Sequence, residues 1–324
     1  MIDRGVTGAT WSIRPGTQHW CLHPLGLELT PIGLSAPDIG RIETLLDEAD
    51  QPLLPAPPLP DATEAPIDGV PAPELPWALM VRLLGPVEVM SADLRTVAFE
   101  RSKALELVVW LTQHRDRSTR TGARTALWES NVRDATFANV VSDARRNLAR
   151  LEPPAEGEEW LGRTLTEELP LHPLVVTDAD ILGDRLRACR GLASDAAIAV
   201  LRPALSLVRD MPFAGTSYLW PDSEGITSQL TLLATSAATV LAGHYLSVGD
   251  TDGVFWATGQ GLKVLPGHEE LIALRMRAHG RHGDLAGVRL EWESYERVLH
   301  AEAWSDGEPS PKLVALRREL LSLR

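Results

Sequence analysis

Between residues 100 and 150 the chain gathers ten positive side chains, Arg101, Lys103, Arg115, Arg117, Arg120, Arg124, Arg133, Arg145, Arg146 and Arg150, against six carboxylates, Glu100, Glu106, Asp116, Glu129, Asp134 and Asp143. The local surplus is four positive charges in a chain of 324 residues whose net charge is −13. Guanidinium groups at this density suit the phosphates of a nucleic acid, while the acidic remainder opposes non-specific attraction to them. A basic island of this kind is the footprint expected of a nucleic-acid contact. The same arginines on a solvated helix face would be ordinary surface.

Within the island, Phe137, Val140, Val141, Ala144, Leu148 and Leu151 recur at spacings of three and four, which predicts a helix over Asp134 to Leu151 with one buried stripe. Opposite that stripe lie Asn139, Ser142, Asp143 and Arg146. Asn can pair with adenine, and Arg with guanine or phosphate. The candidate DNA-binding set is Asn139, Ser142, Arg145, Arg146, Arg150, Arg120, Arg124 and Arg163. Asp143 counts against it, because a carboxylate facing phosphates is repelled unless a cytosine amino group receives it. Glu156, Glu158, Glu159, Glu167 and Glu168 around Arg163 count against it too.

Other chemistries find little support. The chain has no GxxxxGK[ST] phosphate loop, GxGxxG after a strand, HExxH or GxSxG, so no enzymatic activity and no cofactor is expected. His279 and His282 share one helix end, a spacing too common to indicate a metal site. Cys21 and Cys189 stand far apart, which indicates buried free thiols rather than a disulfide framework. No run approaches the roughly 20 uninterrupted apolar residues of a membrane span, and no signal-peptide pattern opens the chain. A cytoplasmic protein without membrane contact is expected.

The elements that would position the arginines follow from punctuation and periodicity. Residues 1–50 form a small N-terminal appendage with extended patches at Trp11 to Ile13 and Leu27 to Leu29 and a helix-like run from Ser35 to Ala49. Residues 51–76 carry nine prolines among acidic residues and read as an extended linker. After it, Val81-Arg-Leu-Leu-Gly-Pro-Val-Glu-Val89 predicts two strands about a Gly85-Pro86 turn. Helices follow at Ser102 to His114, Thr121 to Glu129 and Asp134 to Leu151, then a hairpin within Trp160 to Val176. Strands, three helices and a hairpin are the order of a winged helix, here over 77–177. The tryptophans scattered through these elements read as packing residues, with Trp128 plugging the core.

From Asp178 to Arg324 the sequence is nearly all helical. Gly249-Asp250 and Gly283-Asp284 stand 34 residues apart, the tetratricopeptide (TPR) period, with Ala242, Tyr245 and Pro266 at consensus positions. Stacked repeats create a concave surface that commonly takes a peptide or protein. Tyr245, His279, Trp292 and Tyr295 are the candidate partner-binding residues on it. The fold expected is mainly α: a winged helix-turn-helix of a small sheet and three helices, then an α-helical TPR-like domain over 178–324.

The same run at Val81, with Arg101-Ser-Lys-Ala-Leu-Glu-Leu-Val-Val109, Ala126-Leu-Trp128 and Ser142-Asp-Ala-Arg-Arg-Asn-Leu148, resembles the winged-helix domain of the antibiotic-regulatory transcriptional activators of actinobacteria. Asp178 to Arg324, with Glu269-Glu-Leu-Ile272, Ser294-Tyr-Glu296 and Glu308-Pro-Ser310, is similar to the bacterial transcriptional activator domain that accompanies it. The resemblance covers about three quarters of the chain and implies that the third helix enters the major groove of double-stranded DNA. It also implies that the wing follows the backbone and that the repeat domain meets a regulatory partner such as RNA polymerase. The alternative is an adaptor without DNA affinity, whose winged helix and repeat surface both bind protein.

Overall fold

The structure, a computed structural model, describes four strands within residues 4–29 and residues 75–128, 132–164, 166–301 and 308–322. Contacts divide the chain into two compact units, Met1–Ala65 and Pro66–Arg324, with the break inside the proline-rich segment. In the first unit β1 (Arg4–Val6), β2 (Ala9–Pro15), β3 (Trp20–His23) and β4 (Leu27–Leu29) form an antiparallel meander, with Ser12 opposite His23 and Cys21 opposite Glu28. Of these strands the sequence pattern singles out only β2 and β4. The helix expected at 35–49 and the linker through residue 74 lie outside the described residues.

The second unit opens with β5 (Leu79–Arg82) and β6 (Glu88–Ser91), an antiparallel hairpin with Val81 opposite Val89. Three helices follow, α1 (Ser102–Gln113), α2 (Arg120–Leu127) and α3 (Asp134–Leu151). Their stripes, Leu107, Val108 and Leu111 from α1, Ala123 and Leu127 from α2, and Phe137, Val140, Ala144 and Leu148 from α3, bury together under the sheet. Trp128 is only partly buried, edge-on to Phe137.

The wing is sparser than the hairpin expected. Among the described residues one bridge joins its two arms, Leu161 to Leu171, flanked by the bonds Gly162 N to Pro170 O and His172 N to Trp160 O. Pro170 and Pro173 lack the N–H a longer ladder needs. The chain then enters β7 (Val175–Thr177), which pairs parallel to β5 and completes a sheet of order β6-β5-β7.

No linker follows. Thr177 caps α4 (Asp178–Ala188) with a capping box to Asp180. Asp178, fully buried, accepts hydrogen bonds from Leu83 N (2.8 Å) and Leu84 N (3.1 Å) at the end of β5. The carbonyls of the same two residues accept from Phe213 N and Arg209 N, and Arg209 also binds Glu88 and the Pro86 carbonyl. Winged helix and repeats thus share one core, and 177/178 is a change of architecture inside one compact unit.

The remaining helices are α5 (Ser194–Leu205), α6 (Trp220–Ser223), α7 (Ile226–Val248), α8 (Thr251–Val264), α9 (Glu269–Arg281), α10 (Leu285–Ala301) and α11 (Pro311–Ser322). Among the described residues, α7 alone is long and apolar enough to cross a membrane. It is the central helix of the bundle, packed on α4, α5, α6, α8 and α9.

The 34-residue period is structural. Gly249 and Gly283 adopt left-handed φ values of 80° and 68°, and the next residue, Asp250 or Asp284, caps the following helix by accepting from Gly253 N or Gly287 N, each at 2.8 Å. Gly253 lies against the Tyr245 ring and Gly287 against His279, which occupies the Tyr245 position of the second unit.

Burial pushes the Asp178 carboxyl up to about 6, against the pull of the two amide donors and of Arg209 and Arg82. Between about pH 4 and 6 the unfolded chain has released this proton while the folded chain still holds it, so ionisation weakens the fold and acidification through 6 relieves that. Asp178→Asn cannot titrate and loses one acceptor. In denaturant titrations it should be less stable than wild type at pH 7, and the gap should widen by up to about 3 kcal/mol on going to pH 4. A gap independent of pH would show that Asp178 ionises normally. Gly253→Ala, whose new Cβ would overlap the Tyr245 ring, should cost about 1–3 kcal/mol in thermal unfolding.

Candidate nucleic-acid interface

The outward face of α3 is built from small and basic side chains. Ala135, Ala138, Asn139, Ser142, Arg146, Ala149 and Arg150 are all exposed. Asp134, at the first turn, is exposed but paired with Arg124 at 2.6 Å. Arg124 also donates to Val132 O, tying α2 to the start of α3.

Asp143 is not on that face, contrary to the sequence expectation. At a little under four residues per turn it falls at the rim of the buried stripe, with its side chain 7% exposed and ion-paired to Arg146 and to Arg101 (Nε, 2.9 Å). The carboxylate expected to repel phosphates is instead a counter-ion beneath two guanidiniums. Arg101, counted in the basic island but omitted from the candidate set, is brought to α3 only by the packing of α1 on α3.

On the other flank, Arg145 donates from Nε to Leu161 O (2.8 Å) and from Nη2 to Gly162 O (2.7 Å), pinning the base of the wing to α3. Burial pulls this guanidinium below its ordinary value; Glu159 opposes, and Arg163 and Arg120 add to the fall. The three guanidiniums thus act on one another in one field. Arg145, Arg146, Arg163 and Trp160 line an open cleft of about 230 Å³ between α3 and the wing.

The wing glutamates are largely engaged internally. Glu158 lies 3.3 Å from His172, and Glu159 holds Arg163 at 3.0 Å. Glu167 accepts from Thr121 N and Oγ1, covering the N-terminus of α2 where an anion is favoured. Glu156 and Glu168 are exposed.

Three of the four candidate partner-binding residues are core residues. Tyr245, Trp292 and Tyr295 are 2%, 3% and 1% exposed. Their rings fill the spaces between repeat helices, and Tyr295 spends its hydroxyl on Glu269. His279 bonds Asp284 at 2.8 Å and packs on Phe255, so it holds its own repeat turn. Aromatic residues at repeat spacing marked the packing, not the surface.

No protein-family model and no curated protein matches this chain. Among solved structures it is similar to Mycobacterium tuberculosis EmbR in complex with a low-affinity phosphopeptide, at 19% identity and a TM-score of 0.55, over 75% of this chain. The chain spans 65% of the length of that one. At this identity the likeness is one of fold: a winged helix followed by a helical TPR-like domain.

Arg145→Ala removes both bonds that anchor the wing. Loss of charged donors to backbone carbonyls should lower stability by about 2 kcal/mol. Amide hydrogen exchange at Gly162 and His172 should accelerate while that of α1 is unchanged. Unchanged exchange at these two amides would mean that the wing holds its place without Arg145.

Proposed function

We propose that this chain is a transcriptional regulator that binds double-stranded DNA through α3, with the repeat domain receiving a peptide or protein partner. The observation that carries this reading is the exposed face of α3: from Ala135 to Arg150 it bears small side chains, Asn139, Ser142 and arginines, and its only carboxylate is turned inward. Small residues allow close approach to the groove floor, Asn139 supplies a donor and acceptor that read a base edge, and Arg146 supplies donors for guanine or phosphate. Arg120, Arg145 and Arg163 meet phosphates on the wing side, Arg150 meets them at the helix end, and Arg124 positions the helix pair. The fold likeness to EmbR and the resemblance to the actinobacterial antibiotic-regulatory activators agree with a regulator rather than an enzyme, working in the cytoplasm.

The proposed modules are the winged helix of 77–177 and the repeat domain of 178–324. RNA polymerase or a peptide, phosphorylated like that bound to EmbR or not, is the class of partner proposed for the repeat surface. The exposed Glu156 and Glu168 favour a second reading, a protein-binding adaptor whose acidic wing turns DNA away.

Fluorescence anisotropy of the full chain against pooled genomic duplex fragments separates the two. Saturable binding is expected at low salt, with log affinity falling by about 0.9 per phosphate contact for each decade of salt, and Arg146→Glu should abolish it. If wild type fails to bind even at low salt, the adaptor reading replaces this one.

A further inference from the structure

We infer, resting on the groove contact proposed above, that Arg146 on the outward face of α3 and Arg101 on its flank away from the wing form a second phosphate clamp, with Asp143 as its positioning residue. A helix lying in the major groove is walled on both sides by sugar-phosphate strands. At about 100° per residue, Arg145 and Arg146 fall on opposite sides of the Ala135, Ser142 and Ala149 line. Arg145, with Arg120 and Arg163, serves the wing side. The other wall needs its own cations.

The structure supplies them from two helices. Asp143 gives one carboxylate oxygen to Arg146 and the other to Arg101 Nε at 2.9 Å. The carboxylate is 7% exposed, whereas the two arginine side chains are 52% and 73% exposed. Asn147, buried beside it, bonds the Asp143 carbonyl and steadies the turn from behind. Two guanidiniums over one sunken carboxylate leave a net positive charge facing solvent.

Arg101 uses its Nε–H on Asp143, and the terminal nitrogens carry four further N–H donors, a fork suited to phosphate oxygens. It stands at the N-cap of α1 and makes no side-chain cap bond, so its side chain is not needed to start the helix. Glu100, the neighbouring acidic residue, is exposed and has no bond to either arginine among the described contacts. Asp143 accordingly fixes the spacing of the two cations instead of opposing the DNA.

The test measures anisotropy of the full chain with a short mixed-sequence duplex across a salt series, for wild type, Arg101→Gln, Arg101→Lys, Asp143→Asn and Arg146→Glu, with thermal unfolding to confirm that each variant is folded. Arg101→Gln should weaken binding alike on every sequence and reduce the salt slope by about one. Arg101→Lys should keep the slope and lose affinity, because it retains the charge without the fork. Asp143→Asn should not bind more tightly, although it removes a negative charge. Arg101→Gln with the affinity and slope of wild type, alongside an Arg146→Glu variant that binds poorly, would overturn the clamp and leave the groove contact standing. Tighter binding by Asp143→Asn would overturn its positioning role, and a wild type that never binds would remove the groove contact itself.

Discussion

The carboxylate of Asp178 is the point on which the second unit depends. It sits in the first turn of α4, immediately after β7, and satisfies two backbone amides at the end of β5 that would otherwise be buried without partners. Because β7 is a strand of the winged-helix sheet and α4 the first helix of the repeats, this one side chain ties the two architectures with no linker between them. Phe213 and Arg209 return to the carbonyls of the same two residues, and His114 at the end of α1 reaches Glu224 at 2.6 Å. A partner of the kind proposed for the repeats would therefore act on a body continuous with α3, by steric access or recruitment more readily than by swinging one module on a flexible tether.

Charge is sorted within this body against the trend of the whole chain. The net −13 predicts repulsion from nucleic acid, but the outward face of α3 escapes it through local pairing. Asp143 is drawn under Arg101 and Arg146, Glu159 is committed to Arg163, and Glu167 to the N-terminus of α2. Each pair neutralises a carboxylate that would otherwise face the same side as the arginines. At physiological salt, charges more than about 8 Å away are largely screened, so the local arrangement outweighs the total.

In the repeats, one turn is used twice. A left-handed glycine ends the first helix, an aspartate caps the second, and a glycine three residues after the aspartate lets a ring from the first helix lie against the second. Tyr245 in one unit and His279 in the next fill that space. Their burial explains why aromatic residues at repeat positions make poor candidates for partner contact.

Local chemistry carried much of the fold in advance. The β5–β6 hairpin is legible from Gly85-Pro86 within β-branched sequence, α3 is legible to its exact bounds from its apolar period, and the repeats from two Gly-Asp pairs 34 residues apart. These features depend on neighbours within a turn or two, where periodicity and φ preference decide. Contacts between residues far apart in sequence were not legible: the parallel pairing of β7 with β5, the anchoring of the wing by Arg145, the burial of Tyr245, Trp292 and Tyr295, and the turning of Asp143 beneath Arg101. Sequence alone nominated arginines, asparagine and serine as the candidates for meeting DNA. Only the packing of α1 on α3 decided that Asp143 would serve those arginines, because the partner that draws it inward is supplied by another helix.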